Sequence, residues 1–165
     1  MKESLGVDLG NVIIDHLGFG TTPEFFRSGD YNIIPPVQGV WEALRRLNRE
    51  RFHANVFVVY NASDVADQKI GSWLKSHDFF ERTGISPERV RRTQNGRDKS
   101  SVCELHKATH FIDDRLEVLS HLVGKVGSLY LLRPQQKEVE QYQNFLIYVK
   151  QVQSWDDIVR SLIAY

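Results

Sequence analysis

Three aspartates and a lysine carry the chemistry this sequence suggests. Asp8 stands where an apolar run, Leu5, Val7 and Leu9, gives way to the turn pair Gly10-Asn11. A carboxylate at the exit of a buried strand costs free energy unless it is paired, hydrogen-bonded or bound to a cation. The plainer alternative is a turn aspartate that caps nearby backbone groups. Asp113 and Asp114 close a second apolar run, "HFI". Three acids brought to one edge repel, so they shift pKa or demand a cation. Oxygen-only ligands favour a hard ion, and Mg2+ suits a site with few carboxylates and several waters. Asp114 could instead cap a helix starting near Arg115. Lys99 shares a helical face with Val102, Cys103 and His106. In a first turn it opposes the helix dipole and needs an anion: Asp8, a phosphate or a surface carboxylate.

Strand-like and helix-like stretches must position these groups. The first strand is expected at about Ser4–Leu9, and an irregular stretch rich in turn residues and aromatics runs from Gly10 to Pro36. Val37, Val40, Trp41, Leu44 and Leu47 recur at helical spacing after two prolines. Ala54–Tyr60 has the composition of a fully buried strand. Ser63 or Asp64 can cap the next helix, whose inner face is Ala66, Ile70, Trp73 and Leu74. "ERVRRT" is a short strand, and Asp98 can cap a helix through Lys107. "ATHFIDD" and Ser128–Leu132 are further strands, Gln135–Tyr142 a helix, Phe145–Val152 a strand, and "SWDDIVRSLI" a capped final helix. Strands alternating with helices imply an α/β fold, a doubly wound parallel sheet between two helical layers. Ligands bind such sheets outside the carboxyl ends of the strands. Asp8, Asn61, Asp113 and Asp114 all fall there.

With Asp8, the polar end of "VFVVYN", Lys99 and "FIDDR" in this order, the chain resembles the haloacid dehalogenase-like (HAD) superfamily, many of whose members are Mg2+-dependent phosphohydrolases. The likeness runs from Leu5 to about Leu132, and "QVQSWDDIVRSL" resembles the group's closing strand and helix. It implies a three-layer Rossmann-like fold in one domain, residues 1–165, with a flap at about 11–36 and no separate cap domain. By the same resemblance Asp8 is the nucleophile, Gly10 offers a backbone carbonyl to the metal, and Lys99 holds Asp8 and the phosphoryl oxygens. Asp113, with Asp114 beside it, is the metal ligand. Asn61 follows the position of the second-motif hydroxyl, which Tyr60 occupies or Ser63 supplies from further on. The implied substrate is phosphorylated and, for an open site without a cap, large.

Two departures bear on activity. The general acid–base aspartate usual two residues after the nucleophile is Gly10 here, in an Asp-Leu-Gly-Asn-Val motif that does occur in the superfamily. The second-motif Ser or Thr is absent. Without a proton donor, turnover of alkyl phosphates is expected to be slow and that of aryl or acyl phosphates better; a flat dependence would reveal another acid. Asp15 and His16, on the flap, are the candidates; a solvent-exposed flap residue is the plainer reading of both. A non-catalytic relative, serving as a binding or regulatory module, is the second hypothesis. A response-regulator receiver fits poorly, because its acidic pair belongs on the first strand.

The remaining composition is that of an ordinary globular chain. Its 165 residues suffice for one core; 41% are apolar and 25% charged. Lys plus Arg and Asp plus Glu both number 21, which gives no electrostatic case for nucleic acid or an anionic membrane. The basic run Arg89–Lys99 is a solvated face or a phosphate-attracting rim. Cys103 excludes an internal disulfide and reads as a small core residue. No run has transmembrane length and no signal segment is visible, so a cytoplasmic protein is expected. His106 and His110 do not share a helical face, which argues against zinc. The sequence gives no oligomeric state.

Overall fold

The computed structural model describes residues 1–95 and 98–163; Gly96 and Arg97 of the basic run, and the final two residues, lie outside them. Six parallel strands form one sheet: β1 (Leu5–Val7), β2 (Val56–Asn61), β3 (Val90–Thr93), β4 (His110–Asp113), β5 (Ser128–Leu132) and β6 (Lys150–Val152), in spatial order β3-β2-β1-β4-β5-β6. The reversal of direction on either side of β1 is the switch point at which open α/β sheets leave a crevice.

Alternation along each strand sorts the core into two layers. Leu5 and Val7, Val56, Val58 and Tyr60, Ile112, Tyr130 and Leu132 face one side. There they meet α3 (Val40–Arg46), α4 (Asp64–Ser76), α5 (Phe79–Thr83) and α9 (Trp155–Leu162). Phe57 and Val59, Phe111, Leu129 and Leu131 face the other, against α6 (Asp98–Leu105), α7 (Leu116–Ser120) and α8 (Gln136–Gln141). Gly6 belongs to this second face. A Cβ added there would stand 2.6 Å from both Phe111 Cε2 and Phe57 Cζ, so the rings that flank it leave room only for glycine.

The stretch between β1 and α3 is more ordered than its composition suggests. It holds α1 (His16–Phe19), α2 (Pro23–Ser28) and a 3-10 turn at Tyr31–Ile33. The capping signals are local: Asp15 accepts from Gly18 N, and Thr22 accepts from Phe25 N with Pro23 at the first helical position. Long-range bonds fix its root. Trp155 Nε1 donates to Val12 O and Trp73 Nε1 to Ile34 O, each at 2.8 Å, while Val37 N donates to Ile13 O.

Elsewhere three expectations differ. Phe145–Val152 is not one strand but a 3-10 stretch, Gln143–Tyr148, followed by the short β6. Tyr142, Phe145, Leu146 and Val149 pack on the second layer at helical spacing, while Ile147 and Tyr148 stay exposed. The helix from Asp98 ends at Leu105, and Lys107 takes a positive φ of 51° in the turn that follows. Helix α5 was not foreseen, being too short for a period to register; it is cut off by Asp78 and Gly84, both at positive φ. Among the described residues no helix is long and apolar enough to cross a membrane.

The close approach at Gly6 makes a direct prediction. Gly6→Ala should lower the unfolding free energy in urea by about 1–3 kcal/mol through overpacking, while Gly71→Ala, where an added Cβ meets nothing within 4 Å, should not.

Candidate active site

Strand parity assembles the polar cluster. Gly6 pairs with Phe57 on one side and Phe111 on the other. Two residues further along, Asp8 and Asp113 continue the same face as Gly6 and Phe111, and Val59 then Asn61 continue that of Phe57. Asp8 N donates to Ile112 O at 3.0 Å, which carries the β1–β4 pairing one step past the strand and fixes the carboxylate beside Asp113. The helix covering this face is α6, whose first turn delivers Lys99.

The lysine resolves its conflict with the helix dipole here. Lys99 Nζ donates to Asp8 Oδ1 at 2.6 Å and to Asp113 Oδ2 at 3.1 Å, and its side chain is 5% exposed. Burial alone would lower its pKa; the two carboxylates outweigh that and raise it, so the ammonium stays charged. Asp113 Oδ1 accepts from Arg115 N at 3.1 Å, so both its oxygens are engaged. The cap of α7 is completed by Glu138 of α8, which accepts from Leu116 N and Glu117 N. Asp114 is therefore not the cap. It lies buried beside the other two acids.

Oxygens of Asp8, Asp113 and Asp114 all lie within 4.8 Å of one another. Burial, then the charge of Asp8, pushes the pKa of Asp113 up against the pull of Lys99. Burial and the charges of Asp113 and Asp8 push Asp114 up as well. With all three carboxylates ionised, the single ammonium would leave two negative charges uncompensated. The donor set suits a small divalent cation: all oxygen, buried and gathered at one point.

A cavity of about 1000 Å³ opens over the cluster, lined by Asp8, Gly10, Asn11, Asn61, Lys99, Asp113 and Asp114 among others. Tyr60 and Ser63 are not part of that lining. Tyr60 points to the α4 layer, where its hydroxyl donates to Asp67 Oδ1 at 2.6 Å. Burial and that bond raise its pKa. Ser63 accepts from Ala66 N as the cap of α4. Beside Asn61, the Thr93 hydroxyl at the end of β3 is buried and donates to the Asn61 side chain. Parity along "VYN" already separates Tyr60 from Asn61; Thr93 carried no comparable signal.

The flap contributes at the rim. Asn11, at φ 60°, accepts from Leu17 N through Oδ1 at 2.9 Å and holds α1 over the strand ends. Asp15 is occupied, accepting from Gly18 N and from Arg133 Nη2 at 3.1 Å. The His16 ring lies against Gly10: a Cβ added at Gly10 would stand 3.6 Å from its Cε1 and Nδ1. Cys103 is buried, and burial pushes its thiol up to about 12, consistent with an inert core residue.

Removing Lys99 tests the charge balance. In metal-free buffer at mildly alkaline pH, Lys99→Met should lose about 3–5 kcal/mol of unfolding free energy by leaving buried acids unpaired. The Asp113 pKa is raised in the fold, so acid protonates it while the unfolded chain is still ionised; the deficit should therefore shrink as pH falls.

None of the protein-family models and none of the curated proteins compared with the chain matches it. Solved structures do. The chain superposes with a TM-score of 0.68 on D,D-heptose 1.7-bisphosphate phosphatase from B. bronchiseptica, complexed with magnesium and phosphate, at 13% identity over 98% of each chain. It superposes at 0.67 on a protein described as a haloacid dehalogenase-like hydrolase from Burkholderia xenovorans LB400, at 14% identity over 96% of this chain and 97% of that one. At that identity the likeness speaks for the fold, and the fold of this chain is that of the HAD-like hydrolases.

Proposed function

We propose that the chain is a Mg2+-dependent phosphohydrolase that works through an aspartyl-phosphate on Asp8. The observation that carries this reading is the buried Asp8–Lys99–Asp113 contact with Asp114 alongside, at the floor of an open cavity. One of the solved structures with this fold is a phosphatase holding magnesium and phosphate, which supports the same chemistry. We read the molecule as one domain without a cap, its flap being residues 11–36.

The cation would be held by Asp8, Asp113 and Asp114, and when bound it would neutralise charge on the transferring phosphoryl group. The remaining work falls to the chain. Lys99 holds Asp8 in place at the cavity floor, and its ammonium stabilises the phosphoryl oxygens as they gather charge. Asp8 attacks phosphorus in line with the leaving oxygen, forming a P–O bond to its carboxylate as the ester P–O bond breaks. Water then displaces the carboxylate and releases phosphate. Asn61, pointing into the same cavity, offers an amide N–H to a phosphoryl oxygen. Thr93, bonded to it, orients that amide. The chain's substrate is then a phosphate ester or anhydride able to reach an open cavity.

Phosphate release from a panel of aryl, acyl and alkyl phosphates should require Mg2+ and stop with a chelator. Asp8→Asn, which keeps the shape and removes the nucleophile, should lower it by about 10³-fold or more. Denatured enzyme quenched during turnover should carry phosphate that hydroxylamine removes. Magnesium-independent release, or an Asp8→Asn protein as active as the parent, would contradict the reading and favour a binding module on this fold.

A further inference from the structure

The position two residues beyond Asp8 carries no side chain, yet the space beside it is not empty of proton donors. His16, first residue of α1, places Cε1 and Nδ1 at 3.6 Å from where a Gly10 Cβ would stand. Two contacts hold the ring there. Its Nε2 and the Tyr31 hydroxyl are 2.7 Å apart, and Phe26 meets it edge-on with centroids 5.2 Å apart. Tyr31 is buried and Asn11 fastens α1, so the ring is not an exposed flap group. Among the described residues Nδ1 makes no hydrogen bond, so the nitrogen facing Gly10 is free for a ligand.

The same ring lines a second cavity of about 400 Å³ between the flap and α4. Its other walls include Phe26, Tyr31, Val65, Ala66 and Ile70. Asn61 lines both this cavity and the larger one over Asp8, so the two adjoin. A volume of this size takes one ring-sized apolar group. His16 thus lies against Gly10, two residues beyond Asp8, and lines an apolar chamber on the flap side.

We propose that His16 is the proton donor for the leaving group, in place of the side chain Gly10 lacks, and that the flap cavity receives an apolar, ring-bearing leaving group. This rests on the hydrolase reading above. In the first step Asp8 bonds to phosphorus, the ester P–O bond breaks with its electron pair on the leaving oxygen, and Nδ1–H of the imidazolium passes its proton to that oxygen. In the second, Nδ1 of the neutral ring takes a proton from water as its oxygen bonds to phosphorus. The P–O bond to Asp8 breaks and the carboxylate is restored. The tyrosine oxygen accepts from Nε2–H while the ring is charged. Burial lowers the His16 pKa, and the charges of Asp8 and Asp15 pull the other way.

Two esters that differ in leaving-group basicity but share a ring, phenethyl phosphate and nitrophenyl phosphate, test this. The parent protein with Mg2+ should hydrolyse them with kcat/KM within about tenfold, since donation levels the difference. His16→Gln should lose about 10²- to 10⁴-fold on phenethyl phosphate and less than about tenfold on nitrophenyl phosphate, whose leaving oxygen needs no proton. Retained nitrophenyl turnover also reports that the variant folds. Equal losses on both esters, or none on either, overturn the assignment of His16. Should His16→Gln fail to fold, Tyr31→Phe carries the test: a loss confined to phenethyl phosphate supports the role, and unchanged selectivity overturns it. Ala66→Phe, which fills the chamber, should raise KM for both ring esters and spare acetyl phosphate; an equal effect on all three overturns the placement of the leaving group. No turnover of any ester by the parent would sink the hydrolase reading itself, and this assignment with it.

Discussion

Everything at the sheet's carboxyl edge depends on one ammonium group holding two buried carboxylates. Lys99 reaches Asp8 and Asp113 from a helix whose own dipole disfavours a cation in its first turn. Taking these charges out of water is expensive, and a lone pair would rarely repay it. With Asp114 added, the cluster is not electrically complete when all three acids are ionised, and burial together with the neighbouring acids pushes the pKa of both late acids up. Such a cluster has the composition of a site for a divalent cation.

The fold exists to hold that cluster still. The central strands, buried on both faces, leave the chain no freedom at β1, where Gly6 is pinned between Phe57 and Phe111. That same crowding sets the parity by which Asp8 and Asp113 emerge side by side. The face carrying the acidic cluster is therefore an extension of the packing face, and the rigidity of the second layer fixes the geometry of the cluster. The flap is tied at its root by two tryptophan indoles and reaches toward the site with Asn11 and His16.

Much of this was legible beforehand, for reasons that separate the residues that were readable from those that were not. Asp8, Lys99, Asp113 and the α/β alternation show in the sequence because burial makes a charged residue in an apolar run conspicuous. Asn61 was distinguishable from Tyr60 by the period of two alone, since successive strand residues face opposite layers; that rule places Tyr60 with Asp67 rather than with the site. The helical spacing of Tyr142, Phe145, Leu146 and Val149 was present too, but the β-branched and aromatic content of that stretch suggested a strand. His16 was legible only as one of two flap candidates, with nothing to separate it from Asp15. Its place beside Gly10 depends on how the flap folds back, through Asn11, Tyr31 and Phe26, and no local pattern encodes contacts between turns.

The direct measurement is a crystal structure of the protein grown with Mg2+ and beryllium fluoride. The account predicts an ion about 2.1 Å from oxygens of both Asp8 and Asp113, a beryllium trifluoride bound through beryllium to an Asp8 oxygen, and Lys99 still in contact with that carboxylate. An ion-free cluster at saturating magnesium, with Lys99 and the three acids unmoved and Asp8 unmodified, would contradict it.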